Sequence, residues 1–287
     1  MHRPRACAVE AGTRRWNRVS SVRVSIYLEL TRAFNAGRTR AIVCSGQAVV
    51  LLRLAIASKD GDWILREDQE AIDRVLDVLA ARGARYRFGA PLDLRWLQHG
   101  WSSHFEFRHG GLRVRTDFFT QPPRVSASEL RQLWHEQEGR DPAFTDPAIL
   151  LRIKQTAREK DWPVIGELAR LLPDARGQLQ HSRSARDLLD LAAIHPQLVN
   201  ELQTSRPALA AVRAGLDELR MALERERFAA MDADERRMTT FVRAAGQLRQ
   251  HWPDVERQSA SLPLRDAHGI VVSFAERWLP MDPATSS

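Results

Sequence analysis

Two carboxylates, Asp60 and Asp62, stand one residue apart at the start of an apolar run within Ala57 to Arg66, ASKDGDWILR. Residues i and i+2 of a β-strand point to the same face. If Trp63, Ile64 and Leu65 continue a strand, the two carboxylates therefore project side by side. Like charges held that close repel, and a divalent cation relieves the repulsion, so the pair is a metal site in outline. The same Lys59-Asp60-Gly61-Asp62 also reads as a turn, because Asp-Gly is a turn signal. A third carboxylate, Asp117, stands in a later alternating run. There Leu112, Val114, Thr116 and Phe118 share one face, and Arg113, Arg115, Asp117 and Phe119 share the other. Two further stretches suit an anion. The β-branched run Arg40 to Cys44 enters Ser45-Gly46 and a predicted helix, Gln47 to Leu54, and a strand that turns into a helix this way offers backbone N–H groups to a phosphate. Plain turn chemistry is the other reading of Ser45-Gly46. Lys154 and Arg158, four residues apart in the apolar run Ile149 to Leu172, would share a helix face; a solvated charged face is the alternative.

The elements that must position these residues follow from periodicity. Ile26, Tyr27, Leu30 and Phe34 predict a helix over Ser25 to Asn35, and Ile72, Val75, Leu76 and Leu79 another over Asp68 to Ala81. Ala84 to Phe88 alternates as a strand. His104 to Arg108 and Leu112 to Phe119 flank His109-Gly110-Gly111 and predict a hairpin. Ser126 and Glu129 are spaced as a capping box, and Asp146-Pro147 caps and starts the helix that bears Lys154 and Arg158, with Pro163 kinking or dividing it. Beyond Pro173 the pattern is helical: Leu209, Val212, Leu216, Leu219 and Leu223 define one apolar stripe, and Met238, Val242, Ala245, Leu248 and Trp252 a second. The expected architecture is α/β, a mixed sheet flanked by helices over residues 23–172, followed by an α-helical C-terminal domain over 173–287.

Composition narrows the classes. The chain has 287 residues, 44% hydrophobic and 28% charged, which fits a globular protein with ample core. No apolar run approaches the roughly 18 residues of a membrane helix. Cys7 and Cys44 are the only cysteines, too few for a disulfide framework and without metal-ligand spacing, so a cytoplasmic setting is expected. The formal charge is +7, and residues 1–40 account for all of it, with nine arginines against Glu10 and Glu29. The basic character belongs to an N-terminal arm, residues 1–22, expected to be a disordered or partly ordered extension. His99, His104 and His109 recur at a spacing of five, which suits neither a helical nor a strand ligand set. Most of the tryptophans read as core or interface anchors. Nothing matches a P-loop, a G-x-S-x-G elbow or an HExxH zinc site.

Taken in order, Ser45-Gly46-Gln47-Ala48, Ser58-Lys59-Asp60-Gly61-Asp62, Thr116-Asp117, and Lys154 with Arg158, Lys160 and Asp161 resemble the nucleotidyltransferase superfamily, in particular its AbiEii-like branch of toxin and resistance-type enzymes. The resemblance covers about Arg40 to Leu172. It implies a nucleotidyltransferase-like sheet. It also implies that Asp60, Asp62 and Asp117 are catalytic and hold Mg2+ or Mn2+, and that Ser45, Gly46, Lys154 and Arg158 grip the phosphates of a nucleoside triphosphate. The implied reaction moves a nucleoside monophosphate to an acceptor hydroxyl on RNA, a protein or a small molecule and releases pyrophosphate. A catalytically inactive fold that binds a cognate antitoxin-like protein in a toxin-antitoxin or defence pair is the second expectation. Nucleic-acid binding through the arginine-rich arm is the third.

Overall fold

Apolar spacing and caps fix the first helix, and the same two signals recur down the chain. In a computed structural model, which describes residues 25–285, α1 (Ile26–Phe34) starts at Ser25, whose hydroxyl accepts from the Tyr27 N–H, and buries Tyr27, Leu30 and Phe34. The arm expected over residues 1–22 lies outside the described residues. β1 (Ala41–Cys44), fully buried, runs directly into α2 (Ser45–Leu51). Then come β2 (Asp60–Leu65), α3 (Gln69–Ala80) capped by Asp68, and β3 (Arg85–Tyr86). A short helix, α4 (Leu94–Leu97), precedes the hairpin of β4 (Ser103–His109) and β5 (Leu112–Phe119). Gly110 and Gly111 turn that hairpin at positive φ, +55° and +81°, as a tight hairpin requires.

The strands form one five-stranded sheet in the order β1-β2-β5-β4-β3. Only β2 and β5 run parallel; the other neighbours are antiparallel. The molecule is therefore mixed α/β. One sheet face carries Ala41, Val43, Trp63, Leu65, Phe105, Val114 and Phe118 into the main core, with α1 and α3 packed over it. Trp63 stacks on Phe118 at 5.3 Å, and Phe34 meets both rings edge-on. The other face presents Ile42, Cys44 and Ile64 to α5 (Ala127–Gln137) and α6 (Pro147–Ile153), which contribute Leu130, Leu133, Ile149 and Ile153. The capping box at Ser126 and Glu129 is formed. Those two helices cover only part of the face. The carboxylates stand beside the covered part.

The run Ile149 to Leu172 is not one helix. α6 ends at Lys154, an irregular stretch and a 3₁₀ turn (Glu159–Asp161) follow, and α7 (Trp162–Arg170) begins with Pro163 near its N-terminus. Pro163 starts a helix here and does not kink one, which suits its missing N–H. α8 (Ala175–His181), α9 (Ala185–Ile194) and α10 (Pro196–Leu202) build a small helical cluster. The two C-terminal stripes are each interrupted. Leu209 and Val212 lie in a 3₁₀ segment that Gly215, at φ +108°, separates from α11 (Leu216–Ala244). Met238 and Val242 are exposed on α11, whereas Ala245, Leu248 and Trp252 are buried where α12 (Gly246–Ser259) starts. Together with α13 (Leu264–Trp278), α12 packs into the same core as the sheet. Among the described residues no helix is long and apolar enough to cross a membrane.

Candidate functional site

The site begins with register. Cys44, Asp62, Asp117 and His104 occupy one row across β1, β2, β5 and β4. Asp60 stands two residues before Asp62 on the same face, paired with Arg115. Neighbouring strands run about 4.8 Å apart and side chains at paired positions share a face, so the three expected carboxylates are assembled on one patch. The turn reading of Lys59-Asp60-Gly61-Asp62 is overturned, because Gly61 lies inside β2. A side chain at Gly61 would strike the Trp63 ring and Tyr27. Its glycine makes room on the core face for the aromatic cluster beneath the carboxylates.

The three carboxylates differ in surroundings. Burial, and then the charge of Asp117, push the Asp62 pKa up to about 7, against the opposing pull of Lys154 and Arg158. The buried Oδ1 of Asp60 has no hydrogen-bond partner among the described residues, and the Arg115 Nη1 stops at 3.9 Å from it. Asp117 is better satisfied: its Oδ1 is 2.8 Å from the His104 Nδ1 and accepts from the Arg87 Nη1 at 3.2 Å. A buried acceptor without a donor and a carboxyl that resists ionisation both mark a shortage of positive charge. Among the described residues no three His, Cys, Asp or Glu side chains converge into a cluster that holds a metal ion as they stand. Carboxylate oxygens are hard donors of the kind that Mg2+ and Mn2+ take.

The residues expected to meet phosphate lie on two segments. Ser45 takes φ +52° at the junction of β1 and α2, a conformation uncommon outside glycine. A side chain at Gly46 would meet that of Ser58. The Gln47 Nε2 donates to the carbonyls of Ser58 and Asp60 at 3.1 and 3.2 Å. The Ser45-Gly46-Gln47 turn is thus fastened to the start of the carboxylate strand. Lys154 and Arg158 do not share the helix face that their spacing predicts, because α6 ends at Lys154. Both converge on buried Asp161: the Lys154 Nζ donates to Oδ1 at 3.1 Å and the Arg158 Nε to Oδ2 at 2.8 Å, with the Thr156 hydroxyl on Oδ2 at 2.7 Å. Burial works to raise the Asp161 pKa, but Thr156, Lys154 and Arg158 outweigh it and hold it below the usual carboxylate range. Lys154 is buried, whereas the Arg158 side chain is 56% exposed.

A cleft of about 350 Å³ opens over this patch. Ser45, Asp62, His104 and Arg158 line one part of it, and Phe88, Trp101 and the α11 residues Arg237, Met238 and Phe241 line the rest. The Trp101 and Phe241 rings meet edge-on at 5.0 Å, and the Arg249 guanidinium lies 4.3 Å above the Phe88 ring. Asp60, Gly46, Asp117 and Lys154 adjoin this wall without lining it.

His104 as the partner of Asp117 was legible but unread. The hairpin turn pairs His109 with Leu112, and counting back from it sets His104 opposite Asp117. The aromatic and arginine wall from α11 carried no such signal, because Met238 and Val242 fit a core stripe equally well. Comparison with models of known protein families, with curated proteins and with solved structures finds no match for the chain.

Proposed function

We propose that the chain is a metal-dependent nucleotidyltransferase with a nucleotidyltransferase-like sheet, acting on a nucleoside triphosphate and an acceptor hydroxyl. The observation that carries this reading is the pair of in-register carboxylates Asp62 and Asp117 on parallel strands, beside Asp60 with its unsatisfied oxygen. Asp60, Asp62 and Asp117 would hold Mg2+ or Mn2+, which when bound polarises the phosphoryl oxygens and neutralises developing charge. The acceptor oxygen forms a bond to the α-phosphorus as the bond from that phosphorus to the bridging oxygen breaks, and pyrophosphate leaves. His104 and Arg87 hold Asp117 at Oδ1, and its other oxygen takes the acceptor proton. Ser45 and Arg158 face the cleft and bind phosphate oxygens, while buried Lys154 acts through the field it exerts on Asp62. Incubation of the protein with each of the four labelled nucleoside triphosphates, magnesium or manganese, and cell extract should label an acceptor. Absence of transfer from all four would refute the reading, as would undiminished transfer by the Asp60→Ala, Asp62→Ala double variant.

One observation favours a second reading, an inactive fold that binds an antitoxin-like partner: Lys154, the expected phosphate-binding lysine, is buried and committed to Asp161. Titration separates the two, because the inactive fold shows no carboxylate-dependent magnesium or manganese binding.

A further inference from the structure

Asp234 on α11 is a carboxylate buried to 4% exposure at the centre of a four-way junction. Its Oδ2 accepts from the Ala157 N–H at 3.0 Å, and its Oδ1 accepts from the Arg124 Nη1 at 2.9 Å and the Arg237 Nη2 at 3.1 Å. Burial works to raise its pKa, but Arg124, the Ala157 N–H and Arg237 outweigh it and keep the group below the usual carboxylate range. Arg124 extends the junction: its Nε and Nη2 donate to the carbonyls of Arg152 and Ile153 at 2.8 and 3.3 Å, closing the C-terminus of α6. The irregular stretch that carries Arg158 is therefore tied down on both sides of Lys154.

The junction holds one arginine that lines the cleft and ends one residue short of another. Arg237 bonds Asp234 directly, and Arg158 follows Ala157 in sequence. Arg237 keeps 37% of its side chain exposed, so Asp234 anchors the guanidinium without covering it. Arg158 is oriented in the same manner by Asp161. Arg158 and Arg237 are thus each held from behind by a buried carboxylate, which aims a planar donor fork at the cleft while leaving outward N–H groups for an anion. Arg249, the third arginine lining the cleft, instead lies over the Phe88 ring.

We propose that Arg237 joins Arg158 as a binding residue for a phosphate chain in the cleft, and that Asp234 is the positioning residue for both. This rests on the transferase reading for its role but on the junction for its geometry. Deleting the Asp234 charge frees Arg237 and loosens the Ala157 N–H, while the three sheet carboxylates stay untouched. The same reasoning makes α11 part of the site, although its sequence shows no motif.

The test uses the full chain and inorganic tripolyphosphate with magnesium as the probe, which requires neither a base nor an acceptor. Calorimetric titration of Asp234→Asn and of Arg237→Gln should each show binding roughly tenfold weaker than wild type, as for loss of an outer positioning partner. Hydrogen exchange over residues 154–161 should accelerate in Asp234→Asn and stay unchanged in Arg237→Gln. Val199→Ala, in the helical cluster of α8 to α10, should lower the melting temperature without changing tripolyphosphate affinity. Wild-type affinity in Arg237→Gln overturns the proposal, and so does unchanged exchange in Asp234→Asn or a loss of affinity in Val199→Ala equal to theirs. A wild-type chain that binds no tripolyphosphate overturns it too. A wild-type chain that binds tripolyphosphate but transfers no nucleotide sinks the transferase reading alone. Arg237→Gln leaves Asp234, Arg124 and Ala157 in place, so it decides the matter even where Asp234→Asn fails to fold.

Discussion

Burial and the adjacent Asp117 charge raise the Asp62 pKa to about 7, and that shift has a sign for stability. The unfolded chain ionises this aspartate near its ordinary value of 3.8, so between there and 7 the folded state holds the extra proton. Its contribution is complete below the unfolded pKa and is lost as pH rises through 7. Without divalent ions the melting temperature should therefore fall between pH 5 and pH 8 by an amount that Asp62→Asn removes. Magnesium should raise the melting temperature of the wild type at pH 8, much less at pH 5, and not at all in Asp62→Asn. A scan in which magnesium stabilises Asp62→Asn as much as wild type would show that the cation binds elsewhere. Asp62→Asn should also be more stable than wild type at pH 8 without metal, because it deletes a buried charge that the fold leaves short of a partner. At this scale the sequence was readable in part: strand spacing put Asp60 and Asp62 on one face but left a turn open, which β2 closes, and alternation put Asp117 on the face opposite Thr116 and Phe118. It could not show that Lys154 is buried on Asp161, because a spacing of four means a shared face only where the helix continues, and α6 stops at Lys154.

At the scale of elements, Gly61 is the test case. It sits in β2 between two carboxylates, and an added methyl would press on the rings of Trp63 and Tyr27, which are part of the aromatic cluster under the site. Overpacking of this kind costs about 1–3 kcal/mol, so Gly61→Ala should lower the urea midpoint accordingly without changing the transition slope. A change within about 0.5 kcal/mol, the range of neutral surface substitutions, would mean that the rings move aside. Strands and capped helices were legible because each carries its own signal: alternation in β5, the Ser126 and Glu129 box before α5, and Asp68 before α3. Breaks within helical patterns were not. Met238, Val242, Ala245, Leu248 and Trp252 keep a helical period through the change from α11 to α12, where the chain redirects at Ala245. Periodicity registers hydrophobic faces, and two successive helices can each present one without the join leaving a mark.

For the whole molecule, the expected division at residue 172 meets a core that crosses it. Leu248, Trp252, Val255, Val271 and Leu279 are buried in the same cluster as Trp63, Phe105 and Phe118 of the sheet. The Trp96 indole donates to the Leu279 carbonyl at 3.1 Å, and the Tyr86 hydroxyl is 2.7 Å from the His268 Nδ1. The helices after Pro173 therefore split in two, α8 to α10 with the start of α11 around their own cluster, and α12 and α13 against the sheet. α11 joins these regions and carries Asp234, Arg237 and Phe241 past the cleft. Burying each large apolar side chain contributes about 1.5–3 kcal/mol, so losing the C-terminal helices forfeits on the order of 10 kcal/mol, the size of a whole domain's stability. A fragment of residues 25–172 should accordingly show no cooperative thermal transition by circular dichroism and expose apolar surface to a hydrophobic dye. Cooperative unfolding of the 25–172 fragment at the full-length midpoint would establish that the sheet supports itself. The cleft wall from α11 would then be an attachment to a finished domain. If the fragment fails to fold, the wall facing Asp62 and Arg158 belongs to the fold that makes the carboxylate row, and the cleft is lost without it.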